Sequence, residues 1–399
     1  MEDITLEQAV ELLLQFSPQP QKEAVPLAEA LGRVVAEDIR ASFDNPPFDR
    51  SPLDGYALIA ADTAGATAAK PARLRLTGEE CAGDFYAACV HPGETVRIMT
   101  GGAMPQGTDA VIRQEDVQRT GGEVLIPYPL RHHENYCFAG EDIRRGAVLV
   151  TAGKTLTAAR LAVLASQGVA SVPVWRRPRV AVASTGDELV MPGTPLTPGK
   201  IYNSNLFLAF GRLRELGCDV AVMGVVPDEA EPAARRLAEK SAWADLLLTT
   251  GGVSVGKKDI MHDVVKCMGA ERLFRGVQMK PGYPAIGYRL KAAMGLALSG
   301  NPFAAYATFE LIARPLLAKL AGRKETSLPR RRGVLLDAFP KESRGRRLVR
   351  AFYEEGRVRL PEQHASGSLF SAAGCNAFVD IPPGTGKLEK GAEVDVVLL

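Results

Sequence analysis

The chain has 399 residues, 24% charged and 46% hydrophobic, with a formal net charge of +2. That balance excludes a disordered polar protein, and the near-neutral total offers no field for a nucleic acid or an anionic membrane. No apolar run nears the ~18 residues of a membrane-spanning helix, and six scattered cysteines with no C-x-x-C pair argue against a disulfide framework or a zinc site.

The N-terminus, MEDITLEQAVELLL, is acidic where a secretory signal would be basic. A cytoplasmic protein is the expectation. Thr5 and Gln8 have the spacing of a capping box ahead of Ala9, Val10, Leu12 and Leu13, which predicts a first helix. A second short helix is predicted over residues 27–35. ASFDNPPFDRSPLDGYAL then mixes prolines, aspartates and aromatics without a period, so it reads as loop. From about residue 58 to 143 the strands are short and turn signals frequent, which predicts an all-β module. A helical pattern returns with Thr157 as N-cap and Gly168 as the C′ residue, so the β module looks inserted between helices.

From Arg179 a repeating unit begins. RVAVAST, CDVAVMGVV, ADLLLTT and AAMGLALSG are apolar strands, each followed by a polar or glycine-rich loop and a helical pattern. Alternation of this kind predicts a parallel, doubly wound sheet. After SLP at 327–329 the pattern reverts to β. The expected fold class is multidomain α/β plus β. A helical linker region spans 1–42 and 141–176, an inserted β domain 43–140, an α/β domain 177–326 and a C-terminal β domain 327–399.

Ligands of open parallel sheets bind beyond the carboxyl ends of the strands. Those ends carry Glu188 in STGDEL, Asp228 in VVPDEAE, and Asn301 in SGNP. The third carries Gly251, Gly252, Ser254, Gly256 and Asp259 in GGVSVGKKD. Glycines let backbone N–H groups face an anion, and carboxylates on the same edge suit a hard divalent cation, most simply Mg²⁺, bridging a phosphorylated substrate. Taken singly, Glu188 and Asp228 read as helix-capping residues. The loop lacks the spacing of a Walker A motif and of a dinucleotide-binding G-x-G-x-x-G.

The stretches FDRSPLDGYAL, IMTGGAMPQGTDAVIRQED, GEDIRRG, ASTGDEL, IYNSN, GGVSVGKKD, MKPGYP and LSGNP, in that order, resemble the molybdopterin molybdenumtransferase (MoeA) family, which includes the E domain of gephyrin. The resemblance covers essentially the whole chain. It implies a homodimer whose cleft combines the α/β domain of one subunit with the β insert of the other, and a C-terminal domain closed as a β-barrel. It implies insertion of molybdate into adenylylated molybdopterin, with Mg²⁺-assisted hydrolysis releasing AMP. Partners implied are a molybdopterin adenylyltransferase and the molybdoenzymes or chaperones that take the product. By position, the resemblance places Asp54 and Thr100 on the insert's share of the cleft, with Asp142 beside it. Glu188, Asp228 and Asp259 fall at the acidic positions that handle cation and pyrophosphate. Lys280, Arg350 and Ser371 fall where the oxyanion would be held. A tetrahedral dianion suits such cations, hydroxyls and N–H groups.

Read without the resemblance, these residues have plainer roles. Asp54 in DGY is a turn aspartate, Lys280 a loop lysine, and Arg350 part of a solvated basic strand beside Arg346 and Arg347. His132-His133 reads as a polar loop. The chain also departs from the family pattern. Cys137 replaces an expected arginine, Tyr283 stands in KPGYP where a second lysine is common, and Gly276 with Arg275 beside it occupies a usually basic position. A tungstate-inserting paralogue, a molybdopterin adenylyltransferase and a non-catalytic scaffold stay open as alternatives, and Lys257 and Lys258 are unassigned.

Overall fold

A computed structural model describes residues 1–81, 83–253 and 260–399. Its centre is a seven-stranded sheet in the order Glu2–Ile4, Glu271–Val277, Ile286–Arg289, Met294–Leu298, Leu246–Thr250, Arg179–Thr185, Asp219–Val226. Every neighbouring pair is parallel except those made by Ile286–Arg289, which runs against both its neighbours. The central strands Arg179–Thr185, Leu246–Thr250 and Met294–Leu298 are buried almost throughout because both of their faces are covered. Val180, Val182, Leu246 and Leu248 pack on one side with Leu206 and Leu213 of the helix Ser204–Glu215. Ala181, Ala183 and Leu247 face the other side, against Leu237 of Ala230–Ser241 and Met261 and Val264 of Ile260–Cys267. Alternation along each strand thus assigns its residues to two separate cores.

The capping box forms: Thr5 accepts from the Gln8 N–H, and the Gln8 side chain accepts from the Thr5 N–H. It starts the helix Leu6–Phe16, whose Leu6, Ala9 and Leu13 join the first core of the sheet. The strand before it extends the sheet edge beside Glu271–Val277. Sequence grouped residues 1–42 with 141–176. In the structure the first sixteen lie on the α/β sheet, while Lys22–Pro26 pairs with Ser171–Trp175 and Ile39–Arg40 with Val148–Val150. The helix predicted over 27–35 is absent; only Leu27–Glu29 makes a 3₁₀ turn. Gly32 turns the chain at a φ of 75°, and the β-branched Val34 and Val35 then bridge in extended form to Thr155 and Val174. The helix capped by Thr157 runs Ala158–Ser166 and ends before Gly168 at a φ of 67°.

Between these parts lies a six-stranded sheet built from residues 55–126, ordered Ala110–Arg113, Gly55–Leu58, Glu94–Ile98, Ala72–Glu80, Glu123–Ile126, Gln118–Thr120. The C-terminal strands close into a five-stranded barrel. Barrel and sheet share a core, where Phe378 meets Phe303 and Tyr306 edge-on at 5.7 and 5.6 Å between ring centroids. A second tie is hydrogen-bonded: the Lys280 N–H donates to Arg346 O at 2.9 Å, and the Leu348 N–H to Lys280 O at 2.8 Å. The loop after Glu271–Val277 is thereby sewn onto a barrel strand.

The long helix predicted after SGNP contains a π-helical turn, Phe309–Ala313, between Pro302–Thr308 and Arg314–Leu320. At that turn Glu310 is fully buried. It accepts from Arg212 Nε at 2.6 Å and Nη2 at 3.1 Å, and from Arg314 Nη1 at 2.9 Å. The ion pair locks Ser204–Glu215 onto this helix. Glu310→Ala strips a buried pair of its anion and is expected to lower unfolding free energy by about 3 kcal/mol in urea titration. A loss below about 1 kcal/mol, as for a surface pair, would refute that role.

Candidate functional site

The carboxyl edge of the sheet opens into a cleft of three adjoining cavities. The first, about 560 Å³, is lined by Glu188, Asp228, Gly251, Gly252 and Asn301 among others. The second, about 870 Å³, shares Pro284, Ser299 and Asn301 with the first and extends to Lys280, Arg344, Arg346 and Arg347. The third, about 290 Å³, shares Lys280, Pro281, Arg347 and Ser366 with the second and ends at Arg350 and His364. An apolar groove of about 550 Å³ beside the first helix holds no such set of charged groups on opposed loops among the described residues.

The glycine pair follows the strand Leu246–Thr250. Gly251 and Gly252 have φ of 93° and 68°. A Cβ on Gly251 would sit 2.4 Å from Thr185 O, and one on Gly252 2.8 Å from Thr185 Oγ1. Two neighbouring strand ends therefore approach so closely that only glycine fits. Gly186 is similar: at φ of 138°, its missing Cβ leaves space occupied by the Glu188 carboxylate, whose oxygens lie 2.7 Å from where it would be. Glu188 is thus folded back over its own loop at the mouth of the first cavity. Ser254, Gly256 and Asp259 lie outside the described residues, as do Lys257 and Lys258.

Beneath these loops runs a buried hydroxyl network. Ser184 Oγ sits 2.8 Å from Thr250 Oγ1 and donates to Asn203 Oδ1 at 3.1 Å. Three buried polar atoms on the first cavity's lining have no partner among the described residues: Thr185 Oγ1, Asn203 Nδ2 and Asn205 Oδ1. Unpaired buried polar atoms cost stability unless something fills the site. Asn203 and Asn205 belong to IYNSN and Thr185 to ASTGDEL. Sequence singled out both stretches but did not assign these residues; polar side chains directly after an apolar strand were the available signal.

At the far end, Arg350 is fully buried. Its guanidinium stacks on Phe303 at 3.9 Å and donates to the carbonyls of Ala365, at 2.5 Å, and Ser368. Its Nε is buried without a partner among the described residues. The solvated basic strand read from sequence is corrected here: Arg346 pairs with Asp380, Arg347 lines the cleft, and Arg350 is core. Strand alternation puts Arg350 on the face opposite Arg347 and Val349, where the fold closes over it. Ser371 does not line the third cavity. Its hydroxyl lies 3.1 Å from that of Ser368, one step behind Arg350's carbonyl partner.

The residues expected on or beside the insert stand apart. Asp54 accepts from the backbone N–H and the hydroxyl of Thr100, both at 2.7 Å. Asp142 accepts from Asn45 Nδ2 at 3.2 Å. None of the three lines the cleft of its own chain. His132 pairs with Asp109 at 2.9 Å and His133 stacks among Tyr136 and Phe138. Among the described residues no cluster of three or more His, Cys, Asp or Glu forms a metal cage. Tyr283, in place of a lysine, donates to Asp3 Oδ1 at 2.5 Å and so closes the N-terminal strand onto the loop.

Fold and cleft together define a multidomain α/β protein with carboxylates and glycines at one end of the cleft and cations at the other. Comparison with known proteins agrees. Residues 4–168 match the MoeA N-terminal region (domain I and II), 181–319 a probable molybdopterin binding domain, and 332–399 the MoeA C-terminal region (domain IV). Molybdopterin molybdenumtransferase of Bacillus subtilis is 36% identical over 99% of this chain and 94% of its own. That of Haemophilus influenzae is 35% identical over 98% of both. A crystal structure of a molybdopterin biosynthesis MoeA protein from Pyrococcus horikoshii superposes with a TM-score of 0.88 at 34% identity, covering 99% of each chain. The chain belongs to the molybdopterin molybdenumtransferase (MoeA) family.

Hydrogen bonds from the Thr100 backbone, then from its hydroxyl, hold the Asp54 carboxyl below its ordinary pKa. A depressed folded-state pKa contributes stability above the unfolded pKa, and that contribution is lost as pH falls through the folded value. Thr100→Val removes the hydroxyl and keeps the N–H. Carboxyl NMR titration is expected to show the Asp54 pKa rising part of the way to normal. An unchanged value would disprove the contribution of the hydroxyl.

Proposed function

We propose that this chain inserts molybdate into adenylylated molybdopterin, releasing AMP and forming molybdenum cofactor. The carrying observation is the continuity of the three cavities. One ligand can reach from the glycine and carboxylate loops to the buried guanidinium, so a phosphoanhydride and a tetrahedral oxyanion can be held in one cleft.

At the first cavity the Gly251 and Gly252 backbone and Asn301 are offered to phosphate oxygens. Glu188 and Asp228 are the residues that would hold Mg²⁺, with Asp259 beyond the described set. The donor set fits: Mg²⁺ takes one or two carboxylates and completes its shell with water and substrate phosphates, so it needs no all-protein cage. When bound, such a cation offsets the charge that develops on the anhydride during hydrolysis. Lys280, Arg347 and Arg350 hold the oxyanion at the far end, where exclusion of water strengthens each contact. The geometry accommodates molybdate and tungstate alike. Full-length agreement with molybdenumtransferases, insert and barrel included, favours insertion over adenylyl transfer.

The insert acts on a second subunit. Asp54, Thr100 and Asp142 lie off the cleft of their own chain, as a cleft shared across a dimer requires. Phe207 and Val222, on the helix and edge strand at one side of the sheet, are about half exposed and suit coverage by another copy. An adenylyltransferase would supply the activated pterin, and molybdoenzymes or their chaperones would take the product. No described helix is long and apolar enough to cross a membrane.

Glu188→Gln and Asp228→Asn are each expected to cut molybdate-dependent AMP release at least about 100-fold while the far-UV spectrum is unchanged. Activity within about threefold of the parent in both would sink the assignment of the carboxylates. Refolding a mixture of Asp54→Ala and Asp228→Ala chains tests the shared cleft. Each mixed dimer regains one intact site of two, so about a quarter of full activity should return. No recovery means that each cleft is completed within its own chain.

A further inference from the structure

Lysines and arginines hold the far end of the cleft in the reading above, but that cavity contains one more nitrogen without a use. His364 lines it, and His364 Nδ1 is buried with no hydrogen-bond partner among the described residues. It shares this condition with Arg350 Nε on the same cavity. The ring is held in place: Phe339 meets it edge-on at 5.6 Å, and Arg347 lies over the same Phe339 at 5.8 Å. Phe339 is itself buried, so the imidazole rests on a rigid aromatic floor. Among the described residues the charged side chains lining the cavity are Lys280, Lys341, Arg347 and Arg350, with no carboxylate. The two carbonyls nearest Arg350, those of Ala365 and Ser368, are taken by its own guanidinium.

A buried imidazole nitrogen in a cavity of cations has no acceptor to donate to until an anion enters. We propose that His364 is a direct substrate contact, donating its Nδ1–H to an oxygen of the tetrahedral oxyanion, beside Arg350 Nε. This assignment rests on the reading of the third cavity as the oxyanion end. It identifies a neutral donor among the cations, which adds a directed hydrogen bond without adding repulsion among like charges. Burial, then the neighbouring charges of Arg350 and Lys341, lower the His364 pKa, so the ring is neutral and carries a single N–H to place.

The test uses the full-length protein and isothermal titration with sodium molybdate, with sodium tungstate and AMP titrated in parallel. His364→Phe keeps a flat ring on Phe339 and removes the donor; His364→Gln keeps a donor. A charge-assisted hydrogen bond of this kind predicts about tenfold weaker molybdate and tungstate binding in His364→Phe, with affinity within about threefold of the parent in His364→Gln. AMP affinity should be unchanged in both, since AMP reports on the opposite end. Lys280→Met, at an exposed position, tests the underlying site separately. If Lys280→Met loses oxyanion affinity but His364→Phe does not, the His364 contact is refuted and the site stands. If neither substitution changes oxyanion affinity, both the site and the contact are refuted. Equal loss of molybdate and AMP affinity in His364→Phe would make the residue structural and overturn the proposal.

Discussion

A guanidinium with no exposed surface, that of Arg350, sits where the barrel meets the α/β sheet. Burying a charge without compensation is among the costliest acts in folding. Among the described residues no carboxylate pairs with it; two carbonyls and the face of Phe303 are its partners. Those partners come from both bodies, since Phe303 starts the long helix behind the sheet and Ala365 and Ser368 lie in a barrel loop. Satisfying one cation therefore fixes how barrel, loop and helix meet, and leaves its Nε buried without a partner among the described residues.

The rest of the cleft follows from that junction. The Lys280 loop bonds along the barrel strand that carries Arg350, so lysine and arginine reach one cavity from different domains. Across the sheet edge, Gly251, Gly252 and Gly186 allow two strand ends to crowd Thr185 and Glu188 together. Energy is committed at both ends: orphaned polar atoms at the glycine loops and orphaned nitrogens at the barrel. Sites that bind tightly are built with groups that only a ligand completes.

Much of this was legible in the chain itself. Capping box, helix ends and sheet strands followed from local chemistry, because burial of both sheet faces leaves a continuous apolar run and a cap leaves a side chain at fixed spacing. The glycine loop was legible too, and Glu188, Asp228 and Asn301 do share its cavity. Arg350 was not, apart from its resemblance to the family pattern, because RRLVRAF reads equally as a solvated strand. His364 carried no local signal, since one histidine in a polar loop has many possible surroundings. Residues 27–35 misled because LAEALGRVV has helical composition. Gly32 and two valines reverse that preference once strands are available to pair with them.

The amino-acid order alone determined most of the succession of elements, residues 27–35 and the strands Glu2–Ile4 and Ile286–Arg289 excepted, together with the doubly wound sheet and the position of its loops along one edge. These depend on periodicity and on residues within a few positions of one another. Tertiary structure alone decided which loops meet, that Arg350 is buried, that the first helix belongs to the sheet, and that Asp54 does not line the cleft of its own chain. Those outcomes depend on pairing groups hundreds of residues apart, such as the Met1 ammonium with Leu273 O or Arg346 with Glu7. Contact at such separation is set by the total packing and polar satisfaction of the fold, which no local window of sequence contains.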